Sequence, residues 1–489
     1  MLFNTPFFVF LFLPVSFIVY FWLNQKRLIW VGKAWLVAAS LFFYISWNFA
    51  YLPLLLGSIV FNYAIGSSFS KKKSKNFRFS RRLILIFRIS INLILLAYFK
   101  YFNFLIDNTN VIFSSSIDIP KIVLPLGISF FTFTQIAYLV DSYKGEVKEY
   151  NFINYALFVT YFPHLIAGPI LHHREMMSQF DSRWSLVVRY RNVLSGLFIF
   201  SVGLFKKVII ADTFSVWANF GFDNGINLDF VSAWCTSLSY TFQLYFDFSG
   251  YCDMAIGASL LFNIWLPINF NSPYKALNIK EFWRKWHITL SRFLKDYLFI
   301  PLGGNRCSTI HIYLNLMITF ILGGLWHGAS WMFVIWGTLH GLALVTHRLW
   351  NSLGFYLPKP IAWLLTFNFI NFTWVFFRAK NLDDALRIII GMTNINSILN
   401  HQATLTSQGT WGGTSSVYLL EWLPRTLAAN ILCLISVLLA FYIISQKNSF
   451  ELMKERLSNR KLSAAFLLFC IAMYSIMITK SQVFLYFNF

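Results

Sequence analysis

The sequence predicts an all-α polytopic membrane protein with about 11 transmembrane helices and further re-entrant or interfacial helices. Three observations predict this. Of the 489 residues, 57% are hydrophobic and only 12% are charged, against about 25% charged in a soluble domain. Uncharged runs of spanning length recur along the whole chain. The basic residues that bring the net charge to +21 lie in short blocks between those runs. That distribution marks membrane topology rather than a nucleic-acid face. Helices packed in lipid need no separate soluble core, so residues 1–489 read as a single domain.

The elements follow in order. Phe7 to Leu23 is a retained first span, because no basic n-region or small-residue cleavage site accompanies it. Ala34 to Ser70 carries no charge over 37 residues, too long for one ordinary span. Asn48 and Pro53 place a turn within it, giving two helices. Further spans are expected near 83–106, 122–140, 152–171, 193–211, 231–262, 312–347, 361–378, 426–445 and 462–480. Gly127, Gly168 and Gly250 suggest either broken helices lining a cavity or close helix packing. The five cysteines, without metal-site spacing, read as small apolar side chains in helices.

Loop charge sets the orientation. The block from Lys71 to Arg82 has seven basic residues and no acid. Lys447 to Lys461 has five basic and two acidic residues. Both are expected in the cytoplasm, with the more balanced 379–425 loop and both chain ends outside. Attraction of an anionic donor or lipid is a second use for the same charge.

The polar heart of the chain is 275–306, with seven basic and two acidic residues. From Lys280 to Leu298, large apolar residues recur at three- and four-residue steps, as in one amphipathic helix at the cytoplasmic face. That helix serves either as an interfacial anchor or as a basic wall for a phosphorylated or acyl-carrying donor. Pro301 to Arg306 reads as a turn.

The run from Cys307 to His347 contains no Asp, Glu, Lys or Arg in 41 residues. As one straight helix it would extend roughly 62 Å, about twice the hydrocarbon thickness. It must fold back or break, and Gly323-Gly324 and Gly328, which bracket His327, are the expected interruption. The pattern leaves open a hairpin tip at the surface or an elbow within the membrane. An imidazole in such a run is costly unless it is used or satisfied. A neutral imidazole accepts a proton from a hydroxyl or thiol and returns it to a leaving group. No serine or cysteine stands in a nucleophile-elbow pattern nearby, so base catalysis with direct transfer fits better than a serine acyl-enzyme. His287, upstream, is the second unusual histidine. His340 lies about 140° around an ideal helix from His327 and is not paired with it. His164, His172 and His173 lack a matching acidic or cysteine set, and no metal site is expected. Asp247 and Asp253, in an apolar span, need partners; the basic 275–306 segment is the expected one.

In order, Leu124–Phe133, His164–Ile170, Tyr245–Tyr251, Glu281–Ser291, Pro301–Arg306 and Gly323–Gly328 resemble the bacterial alginate O-acetylation membrane proteins, within the membrane-bound O-acyltransferase superfamily. These stretches make 120–350 the motif-bearing catalytic core. The resemblance implies a helical shell around a central tunnel, with His327 as catalytic histidine and His287 as the second polar residue of the site. Arg284, Trp286, Asn305 and Trp326 are the expected substrate-binding residues. It also implies a cytosolic donor, acetyl-CoA, with no bound cofactor. The acyl group would leave on the outer face of a bacterial inner membrane. There, a periplasmic or surface acetyltransferase partner would complete the modification of a polysaccharide acceptor.

The C-terminal motif 484–489, Phe-Leu-Tyr-Phe-Asn-Phe, is similar to an ending of related surface-acylation systems and implies Tyr486 as an acyl relay. The alternative is an aromatic interfacial anchor. The polymer alternatives are peptidoglycan O-acetylation and teichoic-acid D-alanylation, the latter with a carrier-protein thioester as donor. Outside this class stand a transporter or lipid-linked sugar flippase, for which inverted repeats would argue, and a structural scaffold for secretion.

Overall fold

The computed structural model describes residues 1–66, 78–119, 121–147, 151–399, 425–479 and 484–485. All regular structure among them is helical. Among the described residues, six helices are long and apolar enough to cross a membrane: Phe8–Gln25, Arg81–Phe113, Tyr190–Asp223, Thr309–His327, Lys359–Arg378 and Asn459–Ile478. Shorter apolar helices cover Ile29–Ile45, Phe49–Ala64 and Asn430–Ser445. The chain folds as two compact units.

The first unit comprises Met1–Val202, Tyr251–Ile268 and Leu457–Leu467. The turn expected near Asn48 is there. Asn48 Oδ1 accepts from the Ala50 N–H at 2.9 Å and starts a 3₁₀ turn that runs into the Leu52–Gly66 helix. A buried polar cluster then ties four helices together. Asn62 Nδ2 donates to Gln135 Oε1 at 2.6 Å, Asn92 Nδ2 donates to Asn62 Oδ1 at 2.8 Å, and the Tyr155 hydroxyl reaches Gln135 Oε1 at 3.2 Å. Interhelical hydrogen bonds of this kind supply the association that the hydrophobic effect does not give inside lipid. The expected span 152–171 is instead the Phe152–Thr160 helix, a bend at Tyr161 and the short Phe162–Leu165 helix. Gly127 opens the Ile128–Lys144 helix with φ of 72°, a left-handed conformation that glycine adopts without steric cost.

The second unit comprises Gly203–Gly250, Asn269–Arg456 and Leu468–Phe489. Its Thr309–His327 and Trp331–Ser352 helices pack against each other as a hairpin. The interruption lies after His327, at an extended Gly328, and Ser330 Oγ caps the second helix by accepting from the Met332 N–H at 3.2 Å. Gly323 and Gly324 do not break the chain; they continue the first helix. A Cβ on Gly324 would sit 2.2 Å from the Phe333 carbonyl oxygen. The glycine pair therefore serves close approach, and the sequence pattern did not distinguish approach from interruption. Cys307 lies in the loop before the hairpin rather than in a helix.

The segment expected as one amphipathic helix from Lys280 to Leu298 is three pieces. These are Ile279–Lys285, Ile288–Leu294 and a π-helical turn at Lys295–Phe299. Periodicity continued across Trp286 and His287, but the backbone does not. After Pro301, Gly303 and Gly304 take φ of 110° and 56°, and Asn315 Nδ2 donates to the Leu302 carbonyl at 3.1 Å. The hairpin thus holds the expected turn in place.

Replacing Gly324 by Ala should destabilise the protein by about 1–3 kcal/mol, the usual cost of overpacking. The Gly57→Ala variant is the control, since a Cβ there meets nothing within 4 Å; it should unfold at or slightly above the wild-type temperature. Thermal unfolding in detergent measures both.

Candidate active site

His287 owes its place to a broken helix. Asn278 Oδ1 caps the Ile279–Lys285 helix by accepting from the Glu281 N–H at 2.8 Å. The Glu281 carboxylate accepts from the Leu277 N–H at 2.8 Å and pairs with Lys285 at 2.7 Å. Burial raises the carboxyl pKa, but these two contacts outweigh it and hold Glu281 below its usual range. The helix ends at Trp286. His287 then adopts φ 41°, ψ 54°, a left-handed conformation uncommon outside glycine.

Asn269 supports the break. Its carbonyl accepts from the Ile288 N–H at 3.0 Å, and its Oδ1 accepts from Thr289 N–H at 3.2 Å and Thr289 Oγ1 at 2.7 Å. These contacts satisfy donors that the interrupted helix leaves without intrahelical partners. Sequence reasoning missed Asn269. The signal available was its position in Pro267-Ile268-Asn269-Phe270-Asn271, polar residues in an apolar, proline-containing stretch.

His327 is the last residue of its helix, and both histidines are buried, at 4% and 0% exposure. Their ring centroids are 6.4 Å apart. Aromatic rings enclose the pair. Trp326, Trp336 and Phe377 lie 5.0, 5.2 and 5.1 Å from His327, and Phe248 meets His287 edge-on at 4.8 Å. Trp326 also reaches His287 at 6.2 Å. Trp286 is fully buried and packs on Phe282 and on Trp374, which in turn stacks on Trp336 at 5.8 Å. Two imidazoles in such a wall are kept from bulk water, where proton transfer to a bound group is not competed by solvent.

The structure brings together His287, His327, Trp326 and Trp286. It does not bring Arg284 or Asn305 to them. Arg284 is exposed on the Ile279–Lys285 helix, and Asn305 is exposed in the glycine turn, where its Oδ1 accepts from Arg348 at 3.0 Å. The expected binding role of these two therefore has no support in the contacts around the histidines; a helix face and a turn point outward even where their neighbours point in. Tyr486 lies outside the described residues.

His340 has a structural role. Its Nδ1 accepts from Trp283 Nε1 at 3.2 Å, which leaves the hydrogen of the neutral ring on Nε2. Trp336 stands against both His340 and His327. Within the first unit, His172 Nδ1 is 3.3 Å from Asp141 Oδ2, and His173 packs on Tyr138 and Phe158. Asp247 does not pair with the basic 275–306 segment. Its partner is Lys207, at 3.2 Å, which also reaches Asp212 at 2.5 Å. The Lys206–Ala211 stretch is a π-helical turn, so α-helical spacing gave no hint that Lys207 faces Asp247.

The family model for membrane-bound O-acyltransferases matches residues 34–381. The chain belongs to this family. It is an acyltransferase and a multi-pass membrane protein. A peptidoglycan O-acetyltransferase from Helicobacter pylori is 48% identical, covering 100% of this chain and 98% of the relative. A probable alginate O-acetylase from Pseudomonas aeruginosa is 42% identical over 80% of this chain and 75% of its own length. A teichoic acid D-alanyltransferase from Bacillus subtilis is 27% identical over 52% of this chain and 69% of its own. The resemblance to the alginate O-acetylation proteins is thus borne out.

The left-handed backbone at His287 predicts an order of stability independent of the imidazole. Asn tolerates this region and a β-branched residue does not. The His287→Val variant should be about 1–2 kcal/mol less stable than His287→Asn, read from thermal unfolding of the two in the same detergent.

Proposed function

We propose that this acyltransferase moves an acetyl group from a cytosolic donor, acetyl-CoA, to the outer face of a bacterial cytoplasmic membrane for O-acetylation of peptidoglycan. The observation that carries the reading is the buried pair His287 and His327 in a chain of this family. The full-length similarity to a peptidoglycan O-acetyltransferase favours that polymer over alginate, whose relatives match a smaller share of the chain. Family membership sets aside the transporter and scaffold readings.

In this reading His327 is the general base. It takes the proton from an acceptor hydroxyl as oxygen attacks the thioester carbonyl. The C–O bond forms, the C–S bond breaks, and the thiolate leaves with that proton as CoA. His287 orients or polarises the reacting groups from the facing break. About 11 crossings around a central tunnel would let donor and acceptor meet at the histidines without CoA crossing the membrane. The basic residues of 275–306 supply positive charge for an anionic donor. A separate transferase outside the membrane completes delivery to the polymer.

The test uses vesicles holding the purified protein, with labelled acetyl-CoA on one side and an acceptor on the other. His327→Ala should lower acetyl transfer by about 10²–10⁴-fold, the contribution of a positioned acid–base group, while the variant stays folded in the vesicle. Wild-type transfer by that variant would sink the assignment.

A further inference from the structure

The Phe230–Leu261 helix carries Asp247 and Phe248 in succession, and they meet Leu485 and Phe484. The Leu485 N–H donates to Asp247 Oδ2 at 2.9 Å. The Phe484 ring, 3% exposed, packs 5.9 Å from Phe248. Phe248 in turn lies 4.8 Å from His287. One helical step therefore takes the backbone of Phe484–Leu485 on a carboxylate and its side chain on a ring, and that ring is part of the wall of the histidine site.

The other oxygen of Asp247 faces Lys207 at 3.2 Å. Both groups are buried, at 2% and 3% exposure. A buried carboxylate needs a counter-charge to stay ionised, and an ionised carboxylate accepts a backbone N–H about twice as strongly as a neutral oxygen does. The π-helical turn at Lys206–Ala211 presents Lys207 to Asp247. Gly250 allows the approach, since a Cβ there would lie 2.7 Å from the Gly203 carbonyl oxygen and 3.0 Å from the Lys207 nitrogen. Lys207, Asp247 and Gly250 thus form one device whose second carboxylate oxygen accepts the Leu485 N–H.

We propose that Lys207 and Asp247 are positioning residues that latch the Phe484–Leu485 backbone onto the wall of the histidine site, and that acyl transfer depends on this latch. The proposal rests on the acyl-transfer reading for its functional half and on geometry for its latch. Neither residue touches the reacting atoms; they act through the segment they hold and through Phe248. The latch lies one residue before Tyr486 and is distinct from any chemistry at that phenol.

The experiment uses the full chain in nanodiscs and reads two quantities: hydrogen exchange at the Leu485 amide and acetyl transfer. Asp247→Ala should raise exchange at that amide about 10-fold or more, the loss expected for a hydrogen bond to a charged acceptor. Exchange across the Thr309–His327 and Trp331–Ser352 hairpin should be unchanged, and transfer should fall by at least about 10-fold. Deleting residues 484–489 should lower transfer by a similar factor, and adding Asp247→Ala to the deletion should lower it no further. The triple variant Lys207→Met, Asp212→Asn and Asp247→Leu removes the buried cation with both of its carboxylates and guards against misfolding; it should match Asp247→Ala in both readouts. Unchanged Leu485 exchange, additive losses, or fast exchange with full transfer would each overturn the latch. If the wild-type protein transfers no acetyl group, the acyl-transfer reading fails, while the exchange measurement still decides the latch.

Discussion

Within a bilayer a helix can stop only where the protein itself satisfies the backbone groups the interruption exposes. The candidate site depends on that constraint twice. At His287 the interruption is met by Asn269, whose backbone and side-chain oxygens take donors from Ile288 and Thr289. After His327 it is met by Ser330, which caps the next helix at the Met332 N–H. One break ends a helix at His327, the other starts a helix after His287, and the two imidazole centroids lie 6.4 Å apart. A continuous helix at either place would carry its histidine past the other.

Aromatic rings pack around the pair, and this fits two tasks. Large flat rings bury much area for little loss of rotamer freedom, and they exclude water without offering competing proton acceptors. Tryptophan adds a donor where one is needed. Trp283 fixes the ring of His340, and Trp336 spaces that structural histidine from His327. The abundance of aromatic residues in the composition, 20% of the chain, is in part the material of this wall.

Charge inside the second unit is arranged by the same economy. Lys207 stands between Asp212 and Asp247, so that a single buried cation serves two carboxylates. One oxygen of Asp247 remains for the Leu485 N–H. The Leu485 backbone is therefore held by the residue that the basic 275–306 segment was expected to hold. Spacing along the chain suggested 275–306 as the partner because charge is plentiful there; depth and helix rotation gave the partnership to Lys207.

Much of the fold could be read from composition. Uncharged runs located the helices from Phe8 to Ile478, Asn48 marked its turn, and the length of the 307–347 run required a fold-back. His327 and His287 stood out because an imidazole in apolar surroundings is costly wherever it lies. What the sequence by itself determined was thus which residues must be buried and that certain helices must end. Only the tertiary structure decided where they end and what meets there. It put the 307–347 break after His327, at Gly328 alone and not at Gly323-Gly324, split the expected 280–298 helix at His287, and turned Arg284 and Asn305 outward. The physical reason is that hydropathy reports transfer from water, a property of each residue alone. Backbone reversal, helix rotation and ion pairing depend on partners far apart in the chain, such as Asn269 with Thr289 and Lys207 with Asp247.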